Sequence, residues 1–334
     1  MNASADLPRM WREILELSNL RAHEKVVVLN RLGGRSPYAQ VAVTAAEAVA
    51  ANVSYLEVED TDSLPSTALD AIRRSQLLLD LAFSHDQRVM SFLGDGLRIL
   101  VTVEPPEILA RLFPTQEDKR RCVAGRQRLA SASSMRVRSD CGTDFTVSLG
   151  EFRPSCQFGF SEEPGWWDQW PGAFVYTYPD ERSANGTVVL DRGDILFPMK
   201  SYVQSPIRVG ISNGYITSID GGTDARTLSA IFASYRDPEV YAISHLGWGL
   251  SQNARWDALD GYDKADIEGQ DGRAFYGNFL FSTGPNIHGG GKRDTPCHID
   301  IPMRNCSLWL DGQPVVLKGA VMPEDQRSEK REAV

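Results

Sequence analysis

The chain has 334 residues, 42% hydrophobic and 24% charged, an ordinary globular composition with enough length for about two domains of roughly 150 residues. Its 44 acidic residues outnumber 35 basic ones, a formal net charge of -9; this argues against a nucleic-acid partner, because phosphate binders concentrate Lys and Arg. No run of about 18 uncharged apolar residues occurs, the length a helix needs to cross a bilayer, so no membrane partner is expected.

The N-terminal stretch MNASADLPRMWREILELSNLRAHEK scatters charges among its apolar positions. It predicts an amphipathic helix and not a signal peptide, and the expected location is cytoplasmic. KVVVLN (Lys25–Asn30) is a short strand, followed by Gly33 and Gly34, an Ala-rich helix from Tyr38 to Ala51 and a second strand from Val53 to Val58. Strand, turn, helix, strand is the βαβ pattern. RLGGRS lacks the G-x-G-x-x-G spacing that lets a pyrophosphate approach the backbone, so it reads as a connecting turn. A helix from Ser66 to Asp80, a strand from Leu97 to Val103, and a helix in EPPEILARLF, where proline is tolerated in the first turn, continue the alternation. Residues 1–130 are therefore expected to form an α/β domain of parallel, Rossmann-like layers.

From residue 131 to 334 the texture changes to β-branched and aromatic runs punctuated by glycine: Met135–Val137, Phe145–Leu149, Gly172–Tyr178, Gly186–Leu190, Ile207–Ile211 and Tyr215–Ile219. This predicts a strand-rich, largely antiparallel α+β domain with one clear helix, Ala225–Arg236. The charged tail from Pro323 is expected to fray or to lie on a neighbouring subunit. Five cysteines (Cys122, Cys141, Cys156, Cys297, Cys306), an odd number without a CxxC pair, read as reduced thiols. Cys297, beside His298, is given no role.

Histidine is scarce: His23, His85, His245, His288 and His298. His298 and Asp300, alternating in CHIDIP, project from one face of a strand. An imidazole and a carboxylate so placed are two thirds of the facial triad that holds non-heme Fe(II) with open positions for substrate and O2; they equally suit a buried pair sharing a hydrogen bond. The best candidate for a third ligand is His245 in ISHLGWGLSQNA, which follows an apolar lead-in and opens a glycine-rich turn. His288, in NIHGGGKRD, reads as a surface or lid residue, and His23 as structural.

The segments RILVTVEPPEILARLFPTQEDKRR, NGTVVLDRGDILFP, DPEVYAISHLGWGL, RAFYGNFLFSTGPN and GGKRDTPCHIDIPMRNC closely resemble the 2,5-dihydroxypyridine 5,6-dioxygenase family, the ring-opening enzymes of bacterial nicotinate and nicotine degradation. That family is related in turn to the metallo-aminopeptidase T family. The resemblance runs over nearly the whole chain and implies an aminopeptidase T-like fold, one Fe(II) per chain held by His245, His298 and Asp300, and a homo-oligomer. It also implies His85, in LAFSHDQ, as an acid/base near the substrate, a role that suits an imidazole, and Ser282, in FLFSTG, as a hydrogen-bonding group for the substrate. By the same resemblance, positions where the two-metal peptidases place further ligands are Phe174 and Leu280 in this chain, with His245 in place of a glutamate; Phe and Leu cannot ligate a cation. Where related dioxygenases carry a second histidine, this chain has Gln169 in Trp167-Asp168-Gln169-Trp170-Pro171. Glutamine orients by hydrogen bonds but exchanges no proton near neutral pH. The cluster Trp166, Trp167 and Trp170 is either a pocket wall or core packing.

The expected activity is O2-dependent opening of 2,5-dihydroxypyridine between C5 and C6 to N-formylmaleamate, with a small aromatic N-heterocycle and O2 as partners. A related trihydroxypyridine or hydroxypyridone is the first alternative, with Gln169 as the adaptation; a metal-dependent aminopeptidase is the second.

Overall fold

The structure is a computed structural model that describes residues 3–34, 36–197 and 199–328. The chain divides into two compact units: Met1–Gln116 with Gln157–Gly172 and Ala265–Glu268, and Glu117–Cys156 with Ala173–Lys264 and Gly269–Val334.

The first unit is built on a five-stranded parallel sheet in the order Asn52–Val58, Lys25–Arg31, Leu77–Asp80, Arg98–Thr102, Trp167–Trp170. Its central strands are continuous apolar runs because helices cover parallel sheets. Val27, Leu29, Leu78, Ile99 and Val101 pack with Ala68 and Ile72 of the Ser66–Arg73 helix in one buried core. The Ser36–Glu47 helix packs on the Lys25–Arg31 strand and on the N-terminal helix, Ala3–Leu17. That helix buries Leu7, Met10, Trp11, Ile14 and Leu15, one face at helical spacing. RLGGRS is a connecting turn as far as it is described, with the Gly34 N–H donating to the Arg31 carbonyl at 2.8 Å.

This strand order is that of a doubly wound fold whose direction reverses between the Lys25–Arg31 and Leu77–Asp80 strands, and ligands of such sheets sit at the carboxyl ends of the strands. The loop carrying His85 leaves the carboxyl end of Leu77–Asp80. Two carboxylates shape it: Asp80 accepts from the N–H groups of Ala82 (3.0 Å) and Ser84 (2.9 Å), and Asp86 accepts from Leu64 and Arg88. Burial pushes the Asp80 carboxyl up to about 6, against those N–H groups, which pull it down. The folded value lies above the unfolded one, so the stability linked to Asp80 is complete below about pH 4 and is lost as pH rises through about 6. Asp80→Asn should flatten that part of the unfolding free energy against pH, measured by urea titration; an unchanged slope would count against the burial.

The second unit holds an eight-stranded antiparallel sheet in the order Tyr215–Gly221, Ile207–Ser212, Asn185–Leu190, Asp144–Ser148, Ser134–Arg138, Ser307–Leu310, Gln313–Leu317, Ala320–Val321. Strands Ser134–Arg138 and Asp144–Ser148 alternate buried and exposed residues, as a sheet with one wet face requires. The Thr223–Ser234 helix packs against Tyr215–Gly221. Four strands of a further sheet, Ile299–Met303, Phe279–Thr283, Ile243–Gly249 and Phe174–Thr177, run antiparallel in that order and carry the candidate site.

Three expectations from sequence change. The helix predicted over Ser66–Asp80 ends at Arg73, and Leu77–Asp80 is the middle strand of the parallel sheet. LLLD suits either period, and the sheet decides. The domain boundary expected at residue 130 differs from the observed division, where the Gln116–Ser131 helix falls almost wholly in the second unit. There Arg128 pairs with Asp325 at 2.7 Å and the Arg121 carbonyl accepts from Gln326 at 3.2 Å. Those contacts also dock Pro323–Ser328, expected to fray, against its own unit: Gln326 and Ser328 are buried, and the Ser328 N–H donates to the Tyr276 hydroxyl. The rest of the tail lies outside the described residues.

Candidate metal centre

The chemistry of the site begins with a defect in a sheet. Ile243 pairs with Thr283 and Leu246 with Phe281, so three steps along one strand face two along the other. The surplus residue is a β-bulge, which re-aims a side chain and takes backbone groups out of the ladder. His245 lies in it. Its carbonyl accepts a hydrogen bond from the Ser282 hydroxyl at 3.0 Å, replacing a lost ladder bond. The glycines after His245 do not form the turn expected from sequence. Gly247 continues the strand where an added Cβ would strike the Val175 carbonyl, so glycine admits a neighbouring backbone there.

Asp300 stands opposite Ser282 in the next strand pair, and His298 lies two residues earlier on the same face. The bulge and this alternation bring three donors together. His245 Nε2 lies 3.1 Å from His298 Nε2 and 3.2 Å from Asp300 Oδ1, and His298 Nε2 lies 3.1 Å from the same oxygen. Among the described residues these three are the one group of His, Cys, Asp or Glu side chains spaced to hold a metal ion.

Electrostatics favours ligand-ready forms. Burial holds the His245 imidazole below its ordinary value, towards the neutral form. Burial opposes the charge on Asp300, yet the Arg273 guanidinium and the His298 and His245 imidazoles outweigh it and hold the carboxyl well below the usual carboxylate range. Asp300 Oδ2 accepts from Arg273 Nε at 2.6 Å, whereas Oδ1 is buried with no hydrogen-bond partner among the described residues. An orphaned carboxylate oxygen between two imidazole nitrogens is an electron-rich point that a cation would satisfy.

The spacing also suits three ligands of a single cation. With metal–ligand bonds of about 2.1 Å, adjacent ligands lie about 3.0 Å apart around an octahedron and about 3.4 Å apart around a tetrahedron. The separations of 3.1–3.2 Å fall between these two values, so all three groups can reach one cation, and three ligands on one side of it would leave the other side open. Tyr176 and Tyr178 flank His245, with ring centroids 5.3 and 6.0 Å from its imidazole.

Ser282 is fully buried, and its donated proton is spent on the His245 carbonyl, leaving acceptor lone pairs on its oxygen. Phe174 and Leu280 are buried apolar residues. His85 belongs to the first unit, where it is exposed, lies against Phe83 (ring centroids 4.8 Å) and faces Asp62 at 3.4 Å. Gln169 is also in the first unit, buried on the Trp167–Trp170 strand, and its Nε2 has no hydrogen-bond partner among the described residues. That strand is anchored by Asp168, which accepts from the N–H groups of Phe158, Gly159 and Gln169 and from the Trp166 indole. Trp170 packs edge-on against Trp11 and Phe113 and is core packing in its unit, whereas half-buried Trp166 stacks on Phe158. Two residues went unread in the sequence: Arg273 and Phe197, over whose ring the Arg273 guanidinium lies at 4.2 Å. Both lie in segments that resemble the dioxygenase family, Phe197 in NGTVVLDRGDILFP and Arg273 in RAFYGNFLFSTGPN, but nothing in those segments marks a role, and only the fold brings them to Asp300.

The class follows from comparison with known proteins. The family described as NicX: 2,5-dihydroxypyridine 5,6-dioxygenase matches residues 6–323. A 2,5-dihydroxypyridine 5,6-dioxygenase of Pseudomonas putida KT2440 is 42% identical over 98% of this chain and 99% of its own. The solved structure of 2,5-dihydroxypyridine dioxygenase from that organism superposes with a TM-score of 0.92 at 41% identity, over 97% of this chain and 99% of the other. AmpT from Thermus thermophilus, 12% identical with a TM-score of 0.63 over 94% of this chain and 99% of that one, shares the fold. The protein is thus an oxidoreductase of the dioxygenase class with an aminopeptidase T-like fold. It belongs to the 2,5-dihydroxypyridine 5,6-dioxygenase family. No helix among the described residues is long and apolar enough to cross a membrane.

Proposed function

We propose that this chain opens 2,5-dihydroxypyridine between C5 and C6, placing both atoms of O2 in N-formylmaleamate, with one Fe(II) per chain on His245, His298 and Asp300. The observation that carries the reading is the convergence of two imidazole nitrogens and one orphaned carboxylate oxygen within 3.1–3.2 Å of one another, on a chain 42% identical to an enzyme named for that reaction. Ferrous iron supplies, when bound, the one-electron chemistry that lets O2 react with an electron-rich ring. The chain's own residues supply the rest. The two imidazoles and the carboxylate leave room for a ring hydroxyl and O2, and the Tyr176 and Tyr178 rings line the His245 side.

The remaining roles rest on segment resemblance. His85 takes and returns the ring hydroxyl proton, supported by its exposed imidazole on a loop at the carboxyl edge of the parallel sheet. Ser282 and Gln169 orient the ring; the acceptor lone pairs of the one and the orphaned buried amide of the other favour this. Gln169 also favours a second reading, the same chemistry on a trihydroxypyridine or hydroxypyridone that needs a donor where relatives use a histidine. Homo-oligomerisation is inferred from resemblance alone, and a cytoplasmic location is supported by five free cysteines.

The test is anaerobic loading with Fe(II) followed by oxygen-electrode assays on a panel of hydroxylated pyridines. Uptake of one O2 per 2,5-dihydroxypyridine is the expected result. Strong turnover of another ring with none of this one would move the assignment to the second reading, and release of amino acids from peptide amides would overturn both.

A further inference from the structure

Resting on the reading of His245, His298 and Asp300 as the metal site, we propose that Arg273 is a positioning residue that pins one oxygen of Asp300 so that the carboxylate ligates through the other alone. A carboxylate free to turn about its Cβ–Cγ bond can offer both oxygens to a cation, and the second would occupy a position that substrate or O2 needs. Here Oδ2 is held by Arg273 Nε at 2.6 Å, while Oδ1 is the oxygen that faces both imidazoles.

Arg273 is itself built in. It lies near the end of the short Gln270–Ala274 helix, whose carbonyls at Gly272 and Arg273 accept from Asn278 Nδ2 at 2.7 and 3.1 Å. The Asn278 side-chain oxygen in turn accepts from the Gly249 N–H at 2.7 Å, on the strand that carries His245. Below the guanidinium lies the buried ring of Phe197, 4.2 Å from ring centroid to Cζ, a cation–π platform. Phe197 is tied to the metal strand by its own N–H, which donates to the Asp300 carbonyl at 3.1 Å. Gly269 opens the helix with φ +82°, and an added Cβ there would run into the Phe197 ring. The helix, the platform and the ligand strand therefore fix the guanidinium before any metal arrives.

Two effects of Arg273 on a dication oppose each other. Its positive charge repels the metal, so removal by charge alone should tighten binding. Its hydrogen bond orients the ligand, and loss of such outer partners typically weakens metal binding about 10–100-fold. At this site orientation outweighs charge.

The experiment is anaerobic titration of the whole metal-free chain with Co(II), whose visible absorption reports coordination number, for wild type, Arg273→Met, Arg273→Lys and Phe197→Leu. Wild type should bind one Co(II) per chain. Arg273→Met should bind about 10-fold or more weakly and show the altered absorption of a site that has gained a ligand atom. Arg273→Lys, which keeps charge without the planar donor, should resemble Arg273→Met. Phe197→Leu keeps the guanidinium and should shift both readouts the same way by a smaller factor; it decides the matter if Arg273→Met fails to fold. Equal or tighter binding with an unchanged spectrum in the folded variants overturns the proposal and leaves the metal site standing. A wild-type chain that binds no Co(II) or Fe(II) overturns both.

Discussion

The His298→Ala variant should lose bound iron and ring-opening activity together. A catalytic metal contributes several kcal/mol of transition-state stabilisation, and at about 1.4 kcal/mol per tenfold in rate its loss lowers kcat by about 10³-fold or more. Of the three proposed ligands, His298 is the most informative to remove because its side chain is 39% exposed, against 12% for His245 and 6% for Asp300. Truncation at His298 therefore opens little buried space, and the urea midpoint should stay close to wild type. Asp300→Ala is a poorer variant, since it would strand the Arg273 guanidinium without its carboxylate. Metal analysis after gel filtration, alongside O2 uptake, reads the result. Full activity in a His298→Ala chain that still holds one iron would remove His298 from the ligand set.

The second large effect is expected at His85. His85→Ala should lower kcat by about 10²–10⁴-fold, the usual worth of a positioned acid/base, while iron content and folding remain those of wild type. The imidazole is 60% exposed and its partner Asp62 80% exposed, so the contact between them adds little stability. A purely structural His85 would move neither kcat nor the pH–rate profile. A catalytic one changes the profile as well as the rate, and partial rescue by added imidazole would mark the missing proton carrier. Unchanged kcat across pH would leave the LAFSHDQ resemblance without a functional meaning here.

The legible parts of the fold were those whose physics is local. β-branched and aromatic runs at Met135–Val137 and Phe145–Leu149 announced the strands Ser134–Arg138 and Asp144–Ser148, and a continuous β-branched run announced Lys25–Arg31. LLLD follows a helix without a glycine or proline between them, and its run of three leucines belongs equally to a buried helix and a buried strand, so the sequence continues the helix where the structure has a strand. At the site, the alternation of His298 and Asp300 was readable as a shared face. The position of His245 was not: its reach towards them depends on a bulge in Ile243–Gly249, and the glycines that suggested a loop serve close backbone packing instead.

From the sequence alone come the identity of the donors, the absence of ligating side chains at Phe174 and Leu280, and the family, since side-chain chemistry and long matched segments are written residue by residue. Tertiary structure alone decided the rest. Which oxygen of Asp300 faces the imidazoles, and that Arg273 on its Phe197 platform holds the other, are orientations set by groups 27 and roughly 100 residues away. No local pattern encodes them, because side-chain direction at such a point is fixed by packing between segments that meet only when the chain has folded.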